Sequence, residues 1–215
     1  MKPYQLICVT GPDGAGKSTL LENLQKELEG SVITTIWDLL TEPSLREYLP
    51  LRSASEIDIY LSKLHSISRS LFLMHCLKQA LELAKRRKPT FILADSYWYK
   101  YYATEIAHGS SKEYLDKLVS MFEPPDHIFY IDLPEEIISD RKQKYSLYEC
   151  GFEKERTQED FRCFQKKAIG ELQSLVQGIP GAMFLDGRRT VKENLSVIID
   201  TLKQAACEND SDYRN

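Results

Sequence analysis

The sequence predicts a three-layer α/β fold in which a five-stranded parallel sheet lies between two layers of helices. Five short apolar segments are typical of buried strands: 4–10, 31–37, 90–94, 127–132 and 182–186. Segments with helical spacing of apolar residues separate them, and parallel strands need such crossover connections. Right-handed crossovers bring the carboxyl ends of all five strands to one edge, where ligands bind in open α/β sheets.

A glycine-rich loop, here called the P-loop, joins the first predicted strand to a helix over 20–29. It matches the phosphate-binding pattern G-x-x-x-x-G-K-[ST] at every fixed position. In such a loop, backbone N–H groups and the helix N-terminus bind phosphate oxygens, and the lysine reaches the β- and γ-phosphates. We therefore expect a nucleotide to contact these residues: Gly11, Asp13, Gly14, Ala15, Gly16, Lys17, Ser18 and Thr19. The alternative is a chance glycine turn before a core helix.

The remaining segments complete a single domain over 1–207. Residues 39–55 predict a loop with a short helix near 45–49, and residues 56–88 predict two helices or one bent helix. Further helices are predicted over 97–108, 110–122, 134–141, 157–177 and 191–206. The charged stretch over about 142–156 is a candidate lid, with a solvated loop as the alternative, and residues 208–215 predict a flexible polar tail.

Composition excludes several classes of protein. The net charge of −4 argues against a general nucleic-acid binder, so we expect no nucleic-acid partner. No run approaches the roughly 18 apolar residues of a membrane span, so we expect no membrane partner. The five cysteines are odd in number and lack C-x-x-C spacing, which favours free thiols in a reducing compartment and a cytoplasmic location.

The reaction class follows from what accompanies the P-loop. The chain has neither the N-K-x-D signature of GTPases nor the L-S-G-G-Q signature of transporter ATPases. It does have Asp95 at the end of the third predicted strand, where a carboxylate can hold Mg²⁺ through water or orient an acceptor. The alternative role for Asp95 is a helix N-cap. A P-loop, a strand-end carboxylate and a cationic lid together indicate a small kinase.

At these residues the chain resembles the thymidylate kinase family, of the nucleoside monophosphate kinase superfamily, over about 4–202. The stretch 13–19 is similar to the family's D-x-x-G-K-S-T form, and Asp95-Ser96-Tyr97 resembles its D-R-Y. Three further stretches are similar to family segments: 132–135 before the lid, 160–164 after it and 184–187 before the adenine loop. The resemblance implies a P-loop kinase fold that converts ATP and dTMP to ADP and dTDP with Mg²⁺, usually as a homodimer.

The resemblance also implies roles for single residues. Lys17 and Asp95 would be catalytic, with Mg²⁺ between Ser18 and Asp95, and Asp13 would contact the acceptor sugar. Arg69 falls near the arginine that binds the thymine, and His65 takes the place of the stacking aromatic residue. Since Ala15 stands where some members have a loop arginine, the lid would supply the charge. The lid candidates are Arg141 and Arg156, with Lys144 and Lys154 also available.

Departures from the family pattern concentrate on the acceptor side. Ser96 replaces the arginine of D-R-Y, and Thr41-Glu42-Pro43 replaces the family's R-E-P. We expect Lys100, one helical turn beyond Ser96, to face the acceptor phosphate, and Tyr97 to line the acceptor pocket; surface and core roles are the alternatives. Arg46 and Arg52 are candidates for the second phosphate ligand. A kinase of another acceptor, such as a deoxynucleoside or a different monophosphate, and a non-catalytic nucleotide-binding protein therefore stay open.

Overall fold

The five-stranded parallel sheet is confirmed in the computed structural model, which describes residues 2–47, 51, 53–134, 136–138, 144–153 and 155–212. The strands are β1 (Gln5–Thr10), β2 (Ser31–Thr34), β3 (Phe91–Asp95), β4 (His127–Asp132) and β5 (Met183–Asp186). Their spatial order is β2-β3-β1-β4-β5, and every neighbouring pair is parallel. Because β1 lies at the centre, the loop that follows it opens at the middle of the sheet edge.

Helices cover both faces of the sheet. They are α1 (Lys17–Glu27), α2 (Asp38–Thr41), α3 (Pro43–Arg46), α4 (Ala54–Lys63), α5 (Ser66–Arg86), α6 (Tyr97–Ala107), α7 (Lys112–Val119), α8 (Gln158–Gln177) and α9 (Val191–Asp212). A short 3-10 helix, Tyr148–Cys150, lies in the predicted lid. Residues 136–138 are also helical. Within the described part of the chain, no helix is long and apolar enough to cross a bilayer.

Two apolar cores pack against the sheet, one on each face. Alternate β1 side chains divide between them: Leu6 and Cys8 pack with α5 and α6, whereas Ile7 and Val9 pack with α1 and α9. All four side chains are fully buried. This pattern follows from the period of two along a strand whose two faces are both covered by helices.

The structure moves two predicted boundaries and decides between two predicted alternatives. Strand β2 ends at Thr34, earlier than predicted, because Thr35 donates its backbone N–H and its hydroxyl to the Asp38 carboxylate and so turns the chain. The segment 56–88 forms two helices, separated by extended backbone at Leu64 and His65. The last helix continues to Asp212, into the segment predicted as a tail.

Candidate active site

The P-loop wraps around the amino end of α1 in a conformation that its glycines permit. Gly11 adopts a φ of 146°, and a Cβ there would lie 2.7 Å from the Ile131 carbonyl oxygen. Gly14 and Gly16 also have positive φ, and Gly16 precedes α1 in the left-handed region. Since only glycine tolerates such backbone without strain, the motif glycines are required for the shape of the loop.

Lys17 is held inside the curve of this loop. Its side chain is only 8% exposed, and its Nζ donates to the carbonyl oxygens of Gly11 (3.0 Å) and Pro12 (2.7 Å). The Asp13 carboxylate lies 4.0 Å from the same nitrogen. The ammonium is thus fixed where a phosphate group on the loop would meet it.

The turn after β3 brings a carboxylate to the same place. Asp95 pairs in register with Val9 of β1, and the Ser96 hydroxyl donates to its Oδ1 at 2.8 Å. Ser96 and Tyr97 both have positive φ, at 64° and 48°. This backbone conformation is strained for residues other than glycine. The Ser96 N–H donates to the Val9 carbonyl at 2.8 Å and holds the turn against the central strand.

Lys100 lies one turn into α6 and crosses the cleft to the P-loop. Its Nζ donates to Asp13 Oδ1 at 2.5 Å, and its side chain is 20% exposed. Burial lowers the pKa of Lys100, but the charges of Asp13, Tyr101 and Glu149 outweigh burial and raise the pKa above its usual value. Lys100 is therefore a cation at neutral pH, attached to the loop residue predicted to contact the acceptor.

Two adjoining cavities open at this edge of the sheet. The first, the P-loop cleft, has a volume of about 540 Å³ and is lined by the P-loop together with Asp95 and Ser96. The second, the lid cavity, has a volume of about 320 Å³. Its apolar walls come from Leu40, Ile57 and Leu61, and its polar lining comes from Asp58 of α4 and from Ser146 and Tyr148 of the lid. Four residues line both: Trp37, Lys100, Tyr101 and Glu149.

The described part of the lid is docked on α4 and α6. Asp58 of α4 accepts the backbone N–H groups of Leu147 (2.8 Å) and Tyr148 (3.0 Å) and so caps the 3-10 helix. The Tyr148 hydroxyl donates to Glu105 Oε1 at 3.0 Å. Burial, followed by the Glu105 charge, raises the pKa of Tyr148 well above its usual value. This half of the lid forms a wall of the lid cavity through fixed contacts.

Arg69 lies outside both cavities, in an ion pair that the resemblance does not imply. Its Nε and Nη2 donate to the two oxygens of Glu105 at 2.7 and 3.0 Å, and its Nη1 donates to the Leu64 carbonyl at 3.3 Å. The side chain is 6% exposed and Glu105 is fully buried. The guanidinium therefore holds α5 to α6. Arg69 also lines a third depression together with His65, and its binding of the acceptor base stays a prediction.

His65 and Tyr97 also lie away from the cavities. His65 is exposed, and it lines a separate surface depression beside Arg69 and Phe152. Tyr97 is buried against Phe122, and its hydroxyl donates to the Glu123 carbonyl at 3.1 Å. Tyr97 belongs to the core, as does Tyr101, but of these two tyrosines Tyr101 alone also lines the cavities.

The lid cations are described only in part. Arg141, Lys142 and Lys154 lie outside the described residues, as does Arg52. Arg156 is 49% exposed, with its Nη1 4.0 Å from Asp58, and Lys144 is exposed. Arg46 and Thr41 line a shallow depression apart from the two cavities. Among the described residues, then, the cleft is lined by two cationic side chains, Lys17 and Lys100.

Sequence reasoning missed Glu105 and Asp58. Glu105 follows Tyr97 and Tyr101 at intervals of four residues, so it lies on the buried side of α6 and needs a cationic partner there. That spacing was the available signal. No pattern in the sequence indicates the role of Asp58, because its hydrogen bonds with Leu147 and Tyr148 join distant parts of the chain.

A parallel sheet with the P-loop after its central strand and Lys17 within that loop is an α/β fold with a phosphate-binding site. Over 131 residues the chain is 27% identical to a probable thymidylate kinase from Sulfurisphaera tokodaii. That alignment covers 60% of the chain, and the chain spans 64% of the length of this relative. No protein-family model matches.

A solved thymidylate kinase from Candida albicans has the same fold. Its TM-score is 0.67 at 20% identity, with 94% of this chain and 92% of that chain covered. The chain is thus similar in sequence to one thymidylate kinase and in fold to another.

Proposed function

We propose that the protein transfers the γ-phosphate of ATP to a nucleoside monophosphate, dTMP in the first instance, giving ADP and dTDP. One observation carries the proposal: a P-loop with Lys17 in place opens into the same cleft as Asp95, and this cleft continues into a second cavity. A donor and an acceptor can thus meet at Lys17. The names of the relatives support the choice of dTMP.

On the donor side, the residues act by positioning and charge. The glycines fix the backbone N–H groups around the β- and γ-phosphates, and the α1 N-terminus adds partial positive charge. Lys17 exchanges its carbonyl partners for phosphate oxygens and balances the charge that develops during transfer. No covalent enzyme intermediate is needed.

Mg²⁺ fits the oxygen donors of the cleft. The Ser18 hydroxyl and the Asp95 carboxylate both line it, and Mg²⁺ favours one or two protein oxygens together with phosphates and waters. No group of three or more His, Cys, Asp or Glu side chains suited to a metal occurs within the described residues. When bound, the ion would neutralise phosphate charge, while Ser96 holds the orientation of Asp95 through its hydroxyl.

On the acceptor side, we assign Asp13, Ser96 and Lys100, which the P-loop cleft brings together. Asp13 would accept the sugar hydroxyl. Arg156, and Arg141 on the lid's other side, remain our candidates for the lid charge on the transferred phosphate. In contrast, Arg69 is assigned to the scaffold because its Nε, Nη1 and Nη2 each donate a hydrogen bond to Glu105 or Leu64.

A second acceptor class is favoured by one observation. The described lining of the two cavities contains no arginine, although arginine is the residue best suited to bind a phosphate dianion. A kinase of a deoxynucleoside would not need that arginine, because its acceptor carries no phosphate. The Candida albicans structure is itself described as revealing the origin of broad substrate specificity.

An acceptor panel tests the proposed function. The full chain is incubated with ATP and Mg²⁺ plus dTMP, dUMP, dCMP or thymidine, and ADP and the phosphorylated product are measured by chromatography. We expect the highest kcat/KM with dTMP. Turnover with thymidine alone would favour the second class, and ATP binding without turnover on any acceptor would contradict both.

We also propose a homodimer, supported by an exposed apolar surface on α4 and α5. Ile59, Ile67 and Leu71 are 50–55% exposed, and Ile67 and Leu71 share a face of α5. In Leu71→Glu we expect the dimer mass to fall to that of a monomer by light scattering. Phe184→Ser, at another exposed apolar position, is the control.

The thiols support a reducing compartment, which we propose to be the cytoplasm. None of the five cysteines, all within the described residues, forms a disulfide: Cys8, Cys76 and Cys150 are buried, and Cys163 and Cys207 are exposed. Burial raises the pKa of Cys76 to about 12, so this thiol stays protonated and unreactive.

A further inference from the structure

The acceptor phosphate needs a cation that the family pattern no longer supplies. Ser96 occupies the arginine position of the D-R-Y stretch, and its hydroxyl is directed to Asp95. Asp13, Asp95 and Glu149 all line the P-loop cleft and would repel a phosphate dianion. A monophosphate can therefore bind here only beside a positive group.

Lys100 is the described cation that stands between the two cavities. Lys17 belongs to the loop and is bonded to its carbonyls, whereas Lys100 comes from α6 and lines both the P-loop cleft and the lid cavity. Lys100 therefore lies at the junction of the two cavities. If the nucleoside of a nucleotide entered the lid cavity, the phosphate would lie beside Lys100.

The lid cavity has the character of a nucleoside site. Its volume of about 320 Å³ lies at the lower end of the range for small-molecule pockets. Trp37, Leu40, Ile57 and Leu61 give it apolar walls, and the half-buried Trp37 ring faces both cavities. An aromatic base is the part of the acceptor that such walls suit.

We propose that Lys100 binds the acceptor phosphate while the nucleoside occupies the lid cavity, an inference that rests on the proposed kinase function. Asp13 Oδ1 accepts a hydrogen bond from Lys100 Nζ at 2.5 Å. A phosphate dianion carries more charge than a carboxylate and competes for the ammonium. On exchange, the Asp13 oxygen that holds Lys100 becomes available to the acceptor sugar, so that phosphate binding and sugar binding are coupled.

The test compares acceptors with and without a phosphate. Affinities of dTMP and thymidine are measured by calorimetry for the wild type, Lys100→Met and Lys100→Arg, with Lys117→Met as the control because Lys117 is an exposed cation on α7. We expect Lys100→Met to weaken dTMP binding about 10- to 100-fold and thymidine binding less than about twofold. Lys100→Arg should recover part of the loss, and Lys117→Met should change neither affinity.

The outcomes separate this inference from the proposed function. Thymidine binding and the melting temperature show whether Lys100→Met is folded. If it is not folded, the same two affinities are compared between the wild type and Lys100→Arg. If the wild type phosphorylates dTMP and the dTMP-to-thymidine affinity ratio is unchanged in Lys100→Met, the inference is overturned alone. If the wild type phosphorylates no monophosphate, the proposed function falls and the inference falls with it.

Discussion

The two halves of the cleft differ in what holds their charged groups. On the donor side, Lys17 is bonded to neutral carbonyl oxygens of its own loop, so it can exchange them for phosphate. Behind the acceptor side, Arg69 is bonded bidentately to a fully buried carboxylate. The Lys17 hydrogen bonds go to neutral acceptors, with the Asp13 carboxylate 4.0 Å away, and can be exchanged for phosphate oxygens, whereas a cation that neutralises a buried charge is part of the scaffold.

The same comparison applies to Lys100. Its partner Asp13 is a carboxylate, but that carboxylate is 14% exposed and lines the cleft. Glu105, in contrast, also accepts hydroxyl groups from Ser70, Ser110 and Tyr148 and has no exposure. A move of Lys100 to a ligand would leave the partly exposed Asp13 carboxylate in the cleft, whereas a move of Arg69 would take from the fully buried Glu105 carboxylate the cation that pairs with it.

The largest expected effect tests the scaffold role. Arg69→Met should lower the free energy of unfolding by about 3–5 kcal/mol, because it leaves Glu105 buried without its charge partner. Urea unfolding measures the change, with Arg156→Met, half-exposed and near Asp58, as the control. A stable Arg69→Met variant with a raised KM for dTMP alone would return Arg69 to the acceptor site.

Lys17→Ala sharpens the donor side of the comparison. We expect turnover to fall about 100- to 1,000-fold, the range for loss of a group that stabilises transition-state charge, with the fold intact. Steady-state kinetics and a melting curve give the two readouts. Lys26→Ala, an exposed lysine on the same helix, should retain wild-type turnover; near-normal turnover in Lys17→Ala would refute its assignment.

A pH titration probes the aromatic cluster beside Arg69. Burial, followed by the Arg69 charge, lowers the pKa of His108 from 6.5 to about 3. Between these values the unfolded chain binds a proton that the folded chain excludes, so stability falls as the pH falls through this window. From pH 6.5 to 5, the wild type should lose about 2 kcal/mol more than His108→Phe, which keeps an aromatic ring against Phe152 and Phe164.

Urea midpoints at the two pH values give this difference. The exposed His75→Gln variant should keep the wild-type pH dependence. Equal pH dependence in the wild type and His108→Phe would mean that His108 takes up its proton in the folded state.

The smallest effect concerns the lid. Asp58→Ala removes the acceptor of the Leu147 and Tyr148 N–H groups, so their hydrogen exchange should become about 5- to 30-fold faster. Asp116→Ala, in an exposed pair with Lys112, is the control. Unchanged exchange at 147 and 148 would show that Tyr148 alone holds this half of the lid.

The sequence was sufficient for features encoded by short spacing. The alternation of strands and helices predicted the parallel sheet, and residues 11–19 predicted the loop that the structure shows around Lys17. Strand ends were less certain: the Asp38 carboxylate ends β2 through side-chain hydrogen bonds that apolar patterning does not report.

Long-range pairing was beyond the sequence. Spacing along α5 cannot show that the Arg69 guanidinium pairs with Glu105, which is 36 residues away. Lys100 was predicted to face the cleft since it follows Ser96 by one helical turn, and the structure places it there; its partner Asp13 is 87 residues distant and was not predicted. Spacing along the sequence therefore does not show which charged residues from distant parts of the chain form ion pairs.

A crystal structure of the full chain with dTMP and ADP tests the central claim most directly. The account predicts the ADP phosphates on the P-loop with Lys17, the dTMP phosphate at Lys100 and the thymine in the lid cavity against Trp37. A thymine bound against His65 and Arg69, with Lys100 still paired to Asp13, would contradict it.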